Sequence, residues 1–334
     1  MSENVIIPKD NLVEHPAIKG WKTLQPNRIV PASIEILKKK RRSPVYKLEG
    51  IGPQGADVVA KRSILASALV EHTIYENILP HLPIPTLSYY GFFKEENSEY
   101  GWNFLAYTNA DKYSPRIEEH RVLAARWLAL LHTSALRFAG ENRLPDRGPR
   151  YYLGRLRSAQ AKILNSLDNS ALTKADLAVL KNIVVQCEII ASQWRTIEKL
   201  CQLIPHTLIH GDFATKNIHV QVGHASLVLQ PFDWGSAGWG SIAIDLAQAG
   251  MLPNDYWASP DLATYYSVVR EYWPHLKLED LQMIAISGKI FRCLSCIDGD
   301  AENLAYLWVD KCMSKMQMYT NDMAEAIQAA KGVK

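Results

Sequence analysis

The apolar periodicity of this chain changes character near residue 119. That change limits it to folds in which a small sheet precedes a large helical part. Residues 33–63 read as three short strands, SIEILKKK, VYKLEG and DVVAKRS, rich in β-branched residues and parted by R-R-S-P and G-P-Q-G. Connections that short join only antiparallel neighbours, so a meander is expected. ILASALVEHTIYENIL, 64–79, carries helical spacing and stops before Pro80, after which TLSYYGFF and WNFLAYT read as two further strands. Beyond residue 119, RVLAARWLALLH, DLAVLKNIVVQCEIIASQW, DLATYYSVVREYW and NLAYLWVDKCMSKMQMY all repeat with helical period, interrupted by loop and strand near 205–233. The expected fold class is α+β, a small antiparallel sheet followed by a mostly helical remainder.

With 334 residues, 48% apolar and 21% charged, the chain can bury a sizeable core, which argues against disorder. Its formal charge of +3 gives no concentrated basic face, so no nucleic-acid partner is expected, although Arg137, Arg143, Arg147, Arg150, Arg155 and Arg157 crowd one stretch. The basic run Lys38 to Arg42 reads as a solvated hairpin tip. MSENVIIPKDNLVEHP lacks a basic start followed by an apolar core, and no apolar run reaches membrane-spanning length; a cytoplasmic protein with no membrane partner is expected. The five cysteines are odd in number and lack framework spacing. C-L-S-C at 293–296 has no second pair or nearby histidines to complete a zinc site, so buried neutral thiols are expected.

EGIGPQGADVVAKR, 49–62, contains G-x-G-x-x-G at Gly50, Gly52 and Gly55. A dinucleotide loop must lead from a strand into a helix, whereas these glycines lie between two strands. A kinase glycine loop does join strands, but Gly55 is six residues from Lys61, which leaves no room for the strand that must intervene. The glycines therefore read as a turn permitting positive φ. A hairpin covering phosphates would be the preceding one, at Arg41, Arg42 and Ser43.

The strongest chemical signal is LIHGDFATKN followed by LVLQPFDWGSAGWGSIAIDLA. Asp212 and Asn217 lie five residues apart in a loop, and a strand then ends in Asp233-Trp234-Gly235. Such oxygen-bearing side chains suit magnesium, a hard ion that takes few carboxylates plus phosphate oxygens and water. Phosphoryl transfer asks for this inventory, with one carboxylate left to orient the acceptor hydroxyl.

H-G-D-x-x-x-x-N, the later D-W-G and Asp245-Leu246-Ala247 occur in the order and at the spacing of the aminoglycoside phosphotransferase and choline kinase group, which the chain resembles from about residue 33 to 250. That resemblance implies a two-lobed protein kinase-like fold: an N-terminal extension (1–32), an N-lobe (33–109) and a C-lobe (110–334). It implies an ATP-dependent phosphotransferase, GTP remaining possible as donor, with magnesium as cofactor. Asp212 would orient or accept the acceptor proton, His210 would brace the catalytic loop, and Asn217 and Asp233 would hold the metal. Lys61 would grip the phosphates with Glu71 as partner, Glu76 being the alternative. Asp245 would support the loop. The base would meet backbone around Leu105, Tyr107 and Thr108, with Ser43 near the phosphates. Lys216 would either touch the transferring phosphate or face solvent.

The preferred acceptor is a hydroxyl of a small molecule such as an amino alcohol, sugar or aminoglycoside. Two alternatives are a kinase for Ser or Thr of a peptide, with the arginine-rich stretch holding an acidic leader, and a non-catalytic pseudokinase. Asp298, Asp300, Glu302 and Asp310 read as acceptor-binding acids or a solvated helix face. Tyr265, Tyr266, Tyr272, Trp273, Tyr306 and Trp308 read as a cation cage or as core.

Overall fold

The computed structural model describes residues 6–7, 12–27, 30–40, 43–140, 144–223, 226–248 and 256–332. They fall into two units. One takes the described residues of Met1–Lys112, Asn142–Leu144 and Asn217–Ala237, and the other those of Tyr113–Glu141, Pro145–Lys216 and Gly238–Lys334.

The first unit is built on a six-stranded sheet. Its strands are β1 (Ile6–Ile7), β2 (Ile34–Lys38), β3 (Val45–Leu48), β4 (Val58–Ile64), β5 (Tyr89–Lys94) and β6 (Tyr100–Ala106), ordered β1-β2-β3-β4-β6-β5 with every pair antiparallel. Alternation sets its two faces. Val58 and Ala60 point to a core with Trp21, Ile18, Ile34, Leu48 and Phe104, whereas Lys61, opposite Asn103 in the register, points to the other face. That second face is covered by α2 (Leu65–Asn77).

The structure draws the boundaries differently from the expected ones. Residues before 33 include α1 (Pro16–Leu24), begun by Pro16 and by the His15 ring, which accepts the Ala17 amide at 3.3 Å. Its Ile18 and Trp21 are fully buried in the sheet's core, so this helix is integral to the unit, each such side chain contributing about 2 kcal/mol of burial. The hairpin of Ile218–Val222 and Leu227–Pro231, with Asp111–Lys112 on its edge, also belongs to the first unit.

The second unit is mainly helical: α3 (Glu118–Ser134), α4 (Pro149–Leu164), α5 (Lys174–Ser192), α6 (Trp194–Cys201), α7 (Leu262–Val269), α8 (Leu278–Ala301) and α9 (Asp310–Gly332). A small sheet of Asp146–Arg147, Thr207–Ile209 and Gly238–Gly240 sits among them. α8 packs against α4 and α9 and against the short turn Ile242–Ile244. NLAYLWVDKC is not one helix, as periodicity had suggested. The Asn169 side-chain amide donates to the carbonyls of Leu304 and Tyr306 at 2.7 and 2.8 Å, taking acceptors that a continuing helix would use, and Tyr306–Trp308 form an exposed link before α9.

Gly288 on α8 meets the Ile242–Ile244 turn so closely that a Cβ there would lie 1.7 Å from the Ala243 carbonyl oxygen. Backbone cannot yield as a side-chain tip can, so Gly288→Ala is expected to destabilise the protein by about 3 kcal/mol, read from chemical denaturation. A loss below 0.5 kcal/mol would show that α8 is free to move away from the turn.

Candidate active site

In the first unit, β4 presents Lys61 to α2, where Glu71 is 1% exposed and accepts from the Lys61 ammonium at 2.8 Å. Asp233 accepts from the same ammonium at 2.6 Å. Asn103, on the neighbouring strand, donates to the Ala68 carbonyl and to Glu71, at 3.0 and 3.4 Å. Burial works against the Lys61 charge, but the two carboxylates outweigh it and push its pKa up, so it stays an ammonium. Burial pushes the Glu71 carboxyl up, with Lys61 opposing.

A cavity of about 240 Å³ opens beside this group, lined among others by Lys38, Ser43, Lys61, Ser63, Ser67 and Asp233. Two ammonium groups and four serine hydroxyls, Ser236 included, suit phosphate oxygens, and the volume suits a phosphate tail rather than a drug-sized molecule. Ser43 lines this cavity, while Arg41 and Arg42 lie outside the described residues.

Asn217 and Asp233 flank the ends of the Ile218–Val222/Leu227–Pro231 hairpin. Its register pairs Ile218 with Pro231, and the Phe232 amide donates to the Asn217 carbonyl at 2.9 Å, which keeps the two residues side by side. Asp233 has φ 70°, left-handed for a non-glycine residue, a conformation costing on the order of 1–2 kcal/mol. One carboxylate and one carboxamide at the end of a hairpin fit a hard divalent ion whose remaining positions go to phosphate and water. Among the described residues no group of three or more His, Cys, Asp or Glu forms a self-sufficient metal site.

In the second unit, the catalytic-loop candidates hang from Asp245. This fully buried carboxylate accepts the amides of His210 at 2.7 Å and Gly211 at 2.9 Å, and His132 from α3 stands 3.3 Å away. The other His132 nitrogen meets the Tyr265 hydroxyl of α7 at 2.8 Å. Burial alone would raise the Asp245 pKa, but these partners hold it below its ordinary value. His210 braces the loop locally, its Nδ1 accepting the Asp212 amide at 3.4 Å.

Asp212 is held from both sides. Lys216 reaches one carboxylate oxygen at 2.8 Å and Arg292, from α8, reaches the other at 2.8 Å. Burial opposes the charge, yet these two cations hold the carboxyl down at about 2. Tyr256 and Trp257 close over the guanidinium, which sits 5.8 and 5.5 Å from their ring centres. The same segment ties to the loop, since Tyr256 accepts the Thr215 amide at 3.2 Å and Trp257 bridges to Ala214. Arg292 lies eighty residues beyond Asp212 on an apolar helix, and no local motif announces it.

The expected partner Glu71 holds Lys61, and the alternative Glu76 is exposed. The glycine turn uses its own amides: Gly50 donates to Asp57, Gly52 to Ala56 and Gly55 to Gly52, a commitment at odds with a phosphate cradle. Positive φ occurs at Gly50 and Gly55, whereas Gly52 is required because a Cβ would meet the Ala56 oxygen at 2.7 Å. Near the expected base contacts, the Ala106 and Tyr107 amides are given to Ser88 and Asp57 carbonyls, so backbone at Thr108 is the better candidate there than Leu105 or Tyr107. Of the four acids, Asp298 is buried and paired with Arg155 and Lys162 and Asp300 is half-buried, whereas Glu302 and Asp310 are exposed as a solvated face requires. The contact with Asp298 also draws Arg155 out of the imagined peptide-binding stretch. The aromatic residues form no cage, Tyr265 and Trp273 being core while Tyr306 and Trp308 stack on each other in the exposed link. Cys293 is buried and free, Cys296 free and partly buried.

The model of the phosphotransferase enzyme family matches residues 52–276. No curated protein matches significantly. Among solved structures, a spectinomycin phosphotransferase in complex with ADP and spectinomycin is similar at TM-score 0.59 and 12% identity, over 97% of this chain and 99% of that one. Choline kinase from Cryptosporidium parvum gives 0.58 and 10% over 94% of each chain, and Plasmodium vivax ethanolamine kinase 0.55 and 16% over 90% of this chain and 83% of that one. These likenesses show a protein kinase-like fold.

Replacing Asp245 by Asn leaves an amide among donors that need an acceptor. A loss of about 3 kcal/mol in urea unfolding at neutral pH is expected. Because the folded-state pKa of Asp245 is lowered, its contribution is present above the ordinary carboxylate range and lost as pH falls through the folded value, so the variant should lose less further stability on acidification. An equal acid response in both proteins would count against this assignment.

Proposed function

Because the chain belongs to the phosphotransferase enzyme family, we propose that it is a kinase that moves the γ-phosphoryl group of ATP to a hydroxyl of a small molecule. The observation that carries this reading is Lys61, held between Glu71 and Asp233 at the wall of a hydroxyl-lined cavity. A lysine already fixed by two carboxylates reorganises little when phosphate charge develops, which is how preorganised electrostatics lowers a barrier. GTP offers the same phosphate groups to this cavity, and the described backbone near Thr108 is where donors would be distinguished. Relatives named for spectinomycin, choline and ethanolamine support a small-molecule acceptor over a peptide.

Asn217 and Asp233 would hold magnesium, which when bound supplies positive charge to the phosphate oxygens. The remaining chemistry belongs to the chain. The acceptor oxygen attacks the γ-phosphorus as the bond to the bridging oxygen breaks, and ADP leaves with that electron pair. The hydroxyl proton passes to Asp212 and then to solvent. With its pKa held at about 2, Asp212 is a weak base that mainly orients the hydroxyl and takes the proton late, which suits the loose transition state of phosphoryl transfer. His210 and Asp245 act through the loop as positioning residues.

Asp212→Asn keeps the shape and removes the charge. Its kcat is expected to fall about 10²- to 10⁴-fold while affinity for magnesium-ATP stays close to normal in the folded fraction. Wild-type turnover by this variant would remove Asp212 from the chemistry, and a wild type with nucleotide binding but no transfer to any hydroxyl would favour a pseudokinase.

Asp233→Ala should lose magnesium-dependent nucleotide binding and turnover together, with Asn217→Ala milder. Calorimetry with and without magnesium checks this, and equal wild-type affinity in both conditions would overturn the metal assignment.

A further inference from the structure

The surroundings of Asp212 have the opposite charge balance from a site that receives polycations. Two cations, Arg292 and Lys216, face one carboxylate. Of the acids on α8 and α9, Asp298 pairs with Arg155 and Lys162, Asp300 with Lys315 at 2.7 Å, and Lys289 is shared by Asp322 at 3.5 Å and Glu325 at 2.7 Å. An acceptor with an ammonium beside its hydroxyl would meet like charge at Asp212 and find these carboxylates occupied.

Arg292 itself is incompletely used. Its side chain is 4% exposed, its Nη1 donates to Asp212, and its Nη2 is buried without a hydrogen-bond partner. A buried guanidinium donor is seldom left unpaired, and in the planar fork Nη2 sits on the same carbon as the Nη1 that holds Asp212. The atom that orients the acceptor hydroxyl and the atom that lacks an acceptor therefore lie next to each other.

We propose that Arg292 is a specificity-determining residue that selects acceptors carrying a carboxylate close to the phosphorylated hydroxyl. The inference rests on the kinase reading above. The carboxylate accepts from Nη2 while Asp212 accepts from the hydroxyl, so one guanidinium fixes both groups relative to each other. Tyr256 and Trp257 limit where that guanidinium can go, and Lys216 supplies the second cation. A neutral acceptor leaves Nη2 unpaired, and a cationic one adds repulsion.

The test uses the full chain with magnesium-ATP and two matched series, glycerate, glyceramide and 3-amino-1,2-propanediol, and gluconate, gluconamide and glucamine, with spectinomycin alongside. ADP release is measured for each. The expected result is a kcat/KM for the hydroxy acid about tenfold or more above its amide, with the amine lowest in the series. Arg292→Lys keeps a cation for Asp212 but loses the second donor of the fork. It should raise KM for the hydroxy acid about tenfold, bring the acid-to-amide ratio close to one, and leave KM for ATP and the melting temperature little changed. A merely structural arginine would leave that ratio where it was. Preference for an amine or for spectinomycin, or an unchanged ratio in Arg292→Lys, overturns the inference. So does failure of every acceptor while calorimetry still shows magnesium-dependent ATP binding. Absence of nucleotide binding would instead defeat the kinase reading itself.

Discussion

A fully buried carboxylate, Asp245, carries the geometry of the second unit. Left alone in that position it would be costly, and its charge persists because two backbone amides and a histidine face it. The amides belong to His210 and Gly211, so the same bonds that satisfy Asp245 set the shape of the loop that presents Asp212. The histidine ties in α3 and, through Tyr265, α7. Close contact at Gly288 then lets α8 approach the turn just before Asp245, and one helical turn later the same helix delivers Arg292 to Asp212.

What could be read from the sequence was what local spacing encodes. The strands of 33–63 and the antiparallel meander followed from β-branched enrichment and short turns. Asp212, Asn217 and Asp233 were visible because loop and strand end fall within a short stretch of chain. The preference for Glu71 over Glu76 came from the resemblance and not from local spacing. They stand five residues apart, on different sides of one helix, and only the packing of α2 on the sheet says which side is inward. Arg292 was hidden for a stronger reason: its partner is far away in sequence, and a charged residue among apolar ones on a helix carries no signature of what it faces. Residues 1–32 were expected as an N-terminal extension, yet Ile18 and Trp21 are buried in the sheet's core. Periodicity also overreached at Tyr306–Trp308, where side-chain hydrogen bonds from Asn169 compete for the carbonyls.

The two charge clusters, each within its own unit, have opposite signs. Around Lys61 one cation faces two carboxylates; around Asp212 one carboxylate faces two cations. A partly buried cluster with surplus charge is most stable when a ligand supplies the complement, because the surrounding protein screens poorly. The first cluster thereby suits a divalent ion, which in turn brings phosphates to Lys61. The second suits an anion. Under the proposed reading, this sign difference, more than the identity of any single side chain, separates this chain's acceptor chemistry from that of a site built for an amine. A shared fold therefore does not fix a shared acceptor, since the fold supplies Lys61 and Asp212 while the charge beside Asp212 comes from Arg292 on α8.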